Sequence, residues 1–153
     1  MPIHVFRATQ IVPAPILECW AFFSDPRNLA EITPKALDFQ VRSELPPVIQ
    51  PGMMIEYRVR PLLGVPMTWL TEITHVEPGR RFVDEQRVGP YAIWHHEHTF
   101  TALAGGRTEI RDLVHYVLPF GWLGNLVHPF LVVPELRKIF AFREKAVRER
   151  FGV

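Results

Sequence analysis

Between Tyr91 and Pro119 the chain reads YAIWHHEHTFTALAGGRTEIRDLVHYVLP, and its alternation leaves few folds open. Side chains on a strand point to opposite faces with a period of two. Trp94, His96, His98 and Phe100 therefore share one face, and Ile110, Asp112, Val114, Tyr116 and Leu118 share a face of the next strand. Both faces are apolar at most positions, which assigns them to an interior. Two histidines and an aspartate then stand where a purely structural core would carry valine or leucine. A hairpin about Gly105-Gly106 sets Phe100 near Ile110, His98 near Asp112 and Trp94 near Tyr116. Only a three-residue loop keeps those pairs on one face.

With 153 residues, 48% of them hydrophobic and 22% charged, the chain can bury a sizeable core as one domain spanning 1–153. A net charge of +1 with scattered bases gives no argument for nucleic acid. The cluster Arg143, Lys145, Arg148 and Arg150 is interrupted by Glu144 and Glu149 and reads as a solvated helix face. A single cysteine, Cys19, rules out an internal disulfide and suits a reducing compartment such as the cytoplasm. The first ten residues lack the basic-then-apolar pattern of a signal peptide. The apolar run Leu118 to Pro134 contains two internal prolines, an Asn and a His, and is too short to span a bilayer. It is expected to be a lid or pocket wall, and no transmembrane segment is expected.

Ile3 to Val12 reads as a first strand. Pro15 fits the first position of a helix with Ile16, Trp20 and Phe23 on one face, and Cys19 beside them as packing. Asp25 caps a second short helix begun by Pro26, carrying Leu29 and Ile32 and closed by Pro34. Phe39, Val41 and Leu45 alternate along a second strand, and Ile55, Tyr57 and Val59 along a third with a wet outer face. Pro61 to Pro66 is a turn. Met67, Trp69, Thr71, Ile73 and His75 line one face of a fourth strand, with Leu70 breaking the pattern. In the fifth, Arg81 to Val88, either Phe82, Asp84 and Gln86 point inward or Val83 and Glu85 do. The first choice sets Asp84 opposite His96 across a hairpin about Gly89-Pro90. Glu135 to Phe151 is a long helix with Leu136, Ile139, Phe140, Val147 and Phe151 as its apolar stripe and Gly152 beyond its end. The order is strand, two short helices, six strands, long helix. This is an α+β chain whose short turns imply antiparallel pairing and whose last helix must cover the sheet.

That order, together with IVPAPILECWAFFSDPRNLAEITP, TEITHVEPGRRFVDEQ, WHHEHTF, the Gly-Gly hairpin and IRDLVHYVLPFGWLG, resembles the START/Bet v 1-like superfamily, also called SRPBCC or helix-grip proteins. The bacterial cyclase/dehydrase-like ligand-binding group is the nearest in flavour. The resemblance implies a curved seven-stranded antiparallel sheet gripping the C-terminal helix over its concave face. It also implies a cavity between them for a lipid, a polyketide or another apolar molecule. Superfamily membership does not fix function, because the scaffold hosts binders, transporters and enzymes.

No G-x-G-x-x-G, Walker or G-x-S-x-G motif is present, so no nucleotide cofactor is expected. Cys19 has no evident activating base. In HHEH, alternation sends His95 and Glu97 outward and leaves His96 and His98 inside. With Asp112 they form a donor set for zinc or iron, but the usual ligand spacing is absent and no metal is assigned. Three readings of the histidines remain. In the structural one, His96 and His98 are buried, neutral and satisfied by Asp84 and Asp112. In the binding one, the same pairs orient a hydroxyl or carbonyl of an apolar ligand enclosed by Tyr57, Trp69, Trp94, Tyr116 and Phe140. In the catalytic one, a cyclase or dehydratase uses His98, backed by Asp112, as general base, with His96 or Tyr116 donating to the developing oxyanion. Binding or carriage is preferred, since no residue set demands catalysis. A filled interior would instead leave Phe120 to Val133 as a homodimer surface.

Overall fold

The computed structural model describes residues 1–61 and 64–152. The expected turn from Pro61 to Pro66 therefore lies partly outside the described residues. Strand β1 (His4–Val12) is followed by helix α1 (Ile16–Phe23) and two 3-10 turns, Pro26–Ile32 and Lys35–Leu37. Then come β2 (Gln40–Val41), β3 (Met54–Val59), β4 (Met67–Glu77), β5 (Arg81–Val88), β6 (Ile93–Leu103) and β7 (Arg107–Val117). The chain ends in α2 (Gly121–Val127), a π-helical turn (His128–Val132) and α3 (Val133–Phe151).

All seven strands form one antiparallel sheet in the order β1-β7-β6-β5-β4-β3-β2. The β6–β7 hairpin has the expected three-residue loop and register, with Phe100 opposite Ile110, His98 opposite Asp112 and Trp94 opposite Tyr116. Gly105 and Gly106 make the reversal at φ of +80° and +69°, a region that side chains rarely adopt. Asp25 caps the first 3-10 turn as expected, its carboxylate accepting from the Arg27 backbone N–H. Pro15 sits one position before its helix, as the cap.

Two of the expected strands need correction. Strand β2 is two residues long, not a run to Leu45. The backbone N–H of Glu56 donates to the Ser43 hydroxyl instead of a strand carbonyl, and Pro46 and Pro47 have no N–H to give. In β4 a bulge between Ile73 and His75 inverts the alternation. His75 is exposed, and Val76 packs against the core in its place. Phe82 and Asp84 face inward on β5 as preferred, yet Val83 is equally buried on the other side of the strand.

The long helix starts earlier than Glu135. From Gly121 to Phe151 the chain is helical throughout, interrupted by the π turn. Pro129 has no N–H for the α-helical ladder, and the Val133 N–H reaches back five residues to the His128 carbonyl. Side chains from α1 (Cys19, Phe22), β5–β7 (Phe82, Phe100, Ile110) and α3 (Val147) close one end of the space beneath the helix. Trp94, Val114, Tyr116, Leu118 and Leu136 pack at the other end.

Candidate functional site

Between those two packed ends lies a cavity of about 420 Å³, a size suited to a small organic ligand. Most of its wall is apolar. Of the residues expected to form a site, Tyr57, Trp69, Asp84, Trp94, His96, His98 and Phe140 line it. Asp112 and Tyr116 do not, which corrects their expected place in the wall. Asp112 lies behind the histidines, against a shallow groove between β1 and α3. The Tyr116 hydroxyl is turned away to His128, with its Oη 2.6 Å from His128 Nε2.

The polar end of the cavity is built on three strands. Asp84 on β5 is opposite His96 on β6, and Asp112 on β7 is opposite His98. The shortest bonds nevertheless run diagonally. His96 Nε2 donates to Asp112 Oδ1 at 2.8 Å, and His98 Nε2 to Asp84 Oδ2 at 2.6 Å. The straight-across approaches are longer, 3.9 Å for His96 Nδ1 to Asp84 and 3.2 Å for His98 Nδ1 to Asp112. The second of these is close enough for charge attraction but out of line for a hydrogen bond, leaving His98 Nδ1 without a hydrogen-bond partner among the described residues. This corrects the expected pairing of His98 with Asp112 and His96 with Asp84. The rings stack at 3.7 Å, which offsets each imidazole toward the far carboxylate.

A fifth member is Arg143 on α3. Its Nη2 lies 3.4 Å from Asp112 Oδ1, and its guanidinium sits over the rings of Phe23 and Phe140. At 8% exposure it is not part of a solvated basic face, as its neighbours suggested. The signal that locates it is the helical stripe itself. Arg143 falls three residues after Phe140 and four before Val147, in the one gap the stripe leaves.

Burial alone would raise both carboxyls. For Asp112 the Arg143 charge, the bond from His96 and the nearby His98 outweigh it, holding the carboxyl well below the usual range. For Asp84 the His98 bond and the charges of both histidines and Arg143 do the same. The two imidazoles part company. Burial and the neighbouring His98 push His96 down despite its carboxylates, so it is neutral. Burial also works against charge on His98, but its two carboxylates prevail and raise it. Asp84, His96 and His98 each offer one donor atom, and these atoms lie within 4.8 Å of one another. The group can therefore hold an oxygen function, pass a proton, or hold a cation.

A second polar group was not singled out from the sequence. His4 Nε2 donates to Asn125 Oδ1 at 3.0 Å, and the His4 ring stacks on His128 at 3.7 Å. Together with Tyr116 these residues tie β1 and β7 to α2. Gly124 packs so closely on the Pro119 carbonyl that a Cβ would stand 2.2 Å from it. Gly124, Val127, Leu131 and Val132 form part of the cavity wall, while the other side of this segment is apolar and exposed. Among the described residues, no helix is long and apolar enough to cross a membrane.

The same architecture occurs in solved structures of low sequence identity. TTHA0849 from Thermus thermophilus is 20% identical with a TM-score of 0.67, over 97% of each chain. The Zhui aromatase/cyclase from Streptomyces sp. R1128 is 16% identical with a TM-score of 0.70, over 99% of this chain and 98% of that one. Ara h 8.0201 is 19% identical with a TM-score of 0.60, over 97% and 99%. At such identities the likeness is one of fold. No curated protein sequence matches the chain. Residues 12–134 match the family model described as polyketide cyclase/dehydrase and lipid transport, and the chain belongs to that family, within the START/Bet v 1-like superfamily.

Proposed function

We propose that the protein binds and carries an apolar or amphipathic small molecule, lipid- or polyketide-like, whose oxygen function meets Asp84, His96 and His98. One observation carries this reading: a largely apolar cavity of about 420 Å³ has the cluster of Asp84, His96 and His98 in its wall. Apolar walls supply affinity without direction, and a few fixed polar groups supply orientation. Ionised Asp84 accepts from a ligand hydroxyl, and so does His96 Nδ1, because the proton on Nε2 is given to Asp112. Native mass spectrometry of freshly purified protein tests the reading, together with a fluorescence titration using an anilinonaphthalene sulfonate probe. A co-purifying small molecule, or saturable probe uptake that it displaces, is expected. A protein that is empty and takes up no apolar probe refutes carriage.

A second reading, a cyclase or dehydratase, is supported by the divergence of the two imidazoles. Paired groups pushed in opposite directions are the usual basis of acid and base assignments. The geometry favours His96 over His98 as the base. His96 is neutral, and Asp112 fixes its tautomer from behind. Its Nδ1 then takes a proton next to a substrate carbonyl. Fold likeness to the Zhui aromatase/cyclase accords with this reading. Incubation with a poly-β-ketone substrate tests it: turnover lost in His96→Ala supports it, and no turnover by the unmodified protein removes it.

A further inference from the structure

The two carboxylates of the cluster are not equivalent. Asp84 lines the cavity; Asp112 stands behind the imidazoles and is anchored by Arg143. Each histidine turns one ring nitrogen to each of them. His96 gives Nε2 to Asp112 and Nδ1 to Asp84, at 2.8 and 3.9 Å. His98 gives Nδ1 to Asp112 and Nε2 to Asp84, at 3.2 and 2.6 Å.

This is the arrangement of a metal site with half of its outer support in place, since His96 Nε2 already donates to Asp112. A ligating imidazole coordinates through one nitrogen and donates its other N–H to a carboxylate, which fixes tautomer and orientation. Here one carboxylate, Asp112, faces the second nitrogen of both rings. We propose that Asp84, His96 and His98 hold a first-row divalent transition metal at the polar end of the cavity, with its open positions facing the cavity occupant. The ligand atoms are Asp84 Oδ2, His96 Nδ1 and His98 Nε2. The sequence pattern alone points to Asp112 as third donor, and the structure exchanges it for Asp84.

The required adjustment is small. A metal bound about 2.0–2.2 Å from nitrogen and oxygen donors separates them by roughly 3 Å. His98 Nε2 and Asp84 Oδ2 must open slightly from 2.6 Å, and His96 Nδ1 must close from 3.9 Å. Small side-chain rotations within the 4.8 Å group achieve both. Two imidazoles and one carboxylate with open positions suit Fe²⁺ or Zn²⁺. With neutral imidazoles, the two aspartates, Arg143 and a divalent ion sum to one positive charge. That excess matches a singly charged oxygen ligand, such as an enolate, phenolate or carboxylate. The inference rests on the reading of the cavity as a binding site and names the chemistry by which that site would hold its occupant.

The test uses the full chain, without a histidine tag and stripped of metal by a chelator. Co²⁺ and Zn²⁺ are titrated by calorimetry, and Co²⁺ is followed by its visible absorption. One ion per chain is expected, with binding lost in Asp84→Asn and His98→Gln. Asp112→Asn should weaken it about 10–100-fold, as loss of an outer carboxylate does. His95→Gln, on the opposite face of β6, should leave it unchanged. Absence of saturable one-to-one binding, its survival in Asp84→Asn, or its loss in His95→Gln overturns the proposal. If Asp84→Asn does not fold, X-ray absorption of the unmodified Zn²⁺-loaded protein decides. Two imidazoles and a carboxylate oxygen support the site, and any other donor set refutes it. Probe uptake by the metal-free protein separates the two readings. Uptake without Co²⁺ binding removes the metal and keeps the cavity, whereas no uptake in either form removes the cavity reading itself.

Discussion

Where β5, β6 and β7 face α3, two carboxylates, two imidazoles and a guanidinium are largely withdrawn from water. On α2 and the π turn, Phe120, Trp122 and Phe130 stand 83%, 74% and 76% exposed. The two regions invert the usual distribution of polarity, and a buried polar group or a large exposed apolar one is more informative than the rule it breaks. They also differ in how they are held. Every member of the buried cluster is fixed by at least one other, so removal of any one leaves a charge or a polar atom stranded. The outer face of α2 touches little. That segment is held by the close seat of Gly124 on Pro119 and by the His4, Asn125, Tyr116 and His128 contacts. Tightness in the first region and looseness in the second should appear as opposite responses to substitution.

The largest effect is expected at Asp112. Asp112→Ala leaves Arg143 and both imidazoles without their common partner, and breaking a buried ion pair from one side costs about 3–5 kcal/mol. Urea denaturation with circular dichroism measures it, and a loss below about 1 kcal/mol would mean that water reaches the cluster. Arg143→Met is next, at about 1.5–3 kcal/mol, the range for a bond to a charged group. Its distinguishing mark is acid sensitivity, because the Asp112 carboxyl loses the charge that most lowers it.

The response to pH sharpens the contrast further. Asp84 and Asp112 are held below the ordinary carboxylate range. They contribute stability that is present above that range and lost as the pH falls through their folded values. His98 is raised, so its contribution is complete below the ordinary imidazole value and is lost as the pH rises through its folded one. His96 is lowered and acts in the opposite sense: in acid the unfolded chain takes up a proton that folded His96 refuses. Stability is therefore expected to fall steeply in acid and more gently toward alkaline pH. Asp84→Asn should flatten the alkaline limb by removing the nearest partner of His98. Urea midpoints measured across pH check both slopes, and an unchanged alkaline limb in that variant would show that Asp112 alone charges His98.

The smallest effect belongs to the other region. Trp122→Ser and Phe130→Ser should each change stability by no more than about 0.5 kcal/mol, as exposed positions usually do. A larger loss in thermal or urea unfolding would mean that the apolar face packs against something in solution, and the contrast between the regions would fail.

The buried region was far more legible in the sequence than the exposed one. Alternation in WHHEHTF and IRDLVHY was readable because one face is dry, so every second residue announces its side. The Gly-Gly loop then set the register, and the register set which strands bring Asp84, His96, His98 and Asp112 together. What it could not give is the diagonal pairing. Residues opposite and one step along are both within reach on a sheet, and ring stacking decides between them. Arg143 was missed because Lys145, Arg148 and Arg150 share its sign, and charge was weighed before position on the helix. His75 was misplaced because a bulge adds a residue without altering composition. Helix α2 was not read as a helix at all: GWLGNLV lacks a polar face, and the prolines beyond it disguise the continuation.

The π turn at His128–Val132 governs more than local hydrogen bonding. Each residue advances an α-helix by about 100°, so one extra residue rotates everything before it relative to everything after. Which side chains of α2 overhang the cavity mouth is thus set by a count rather than by chemistry. Excising a single residue from that turn would swing Trp122 and Leu126 to new bearings about the helix axis and re-roof the cavity without altering any of the residues that remain.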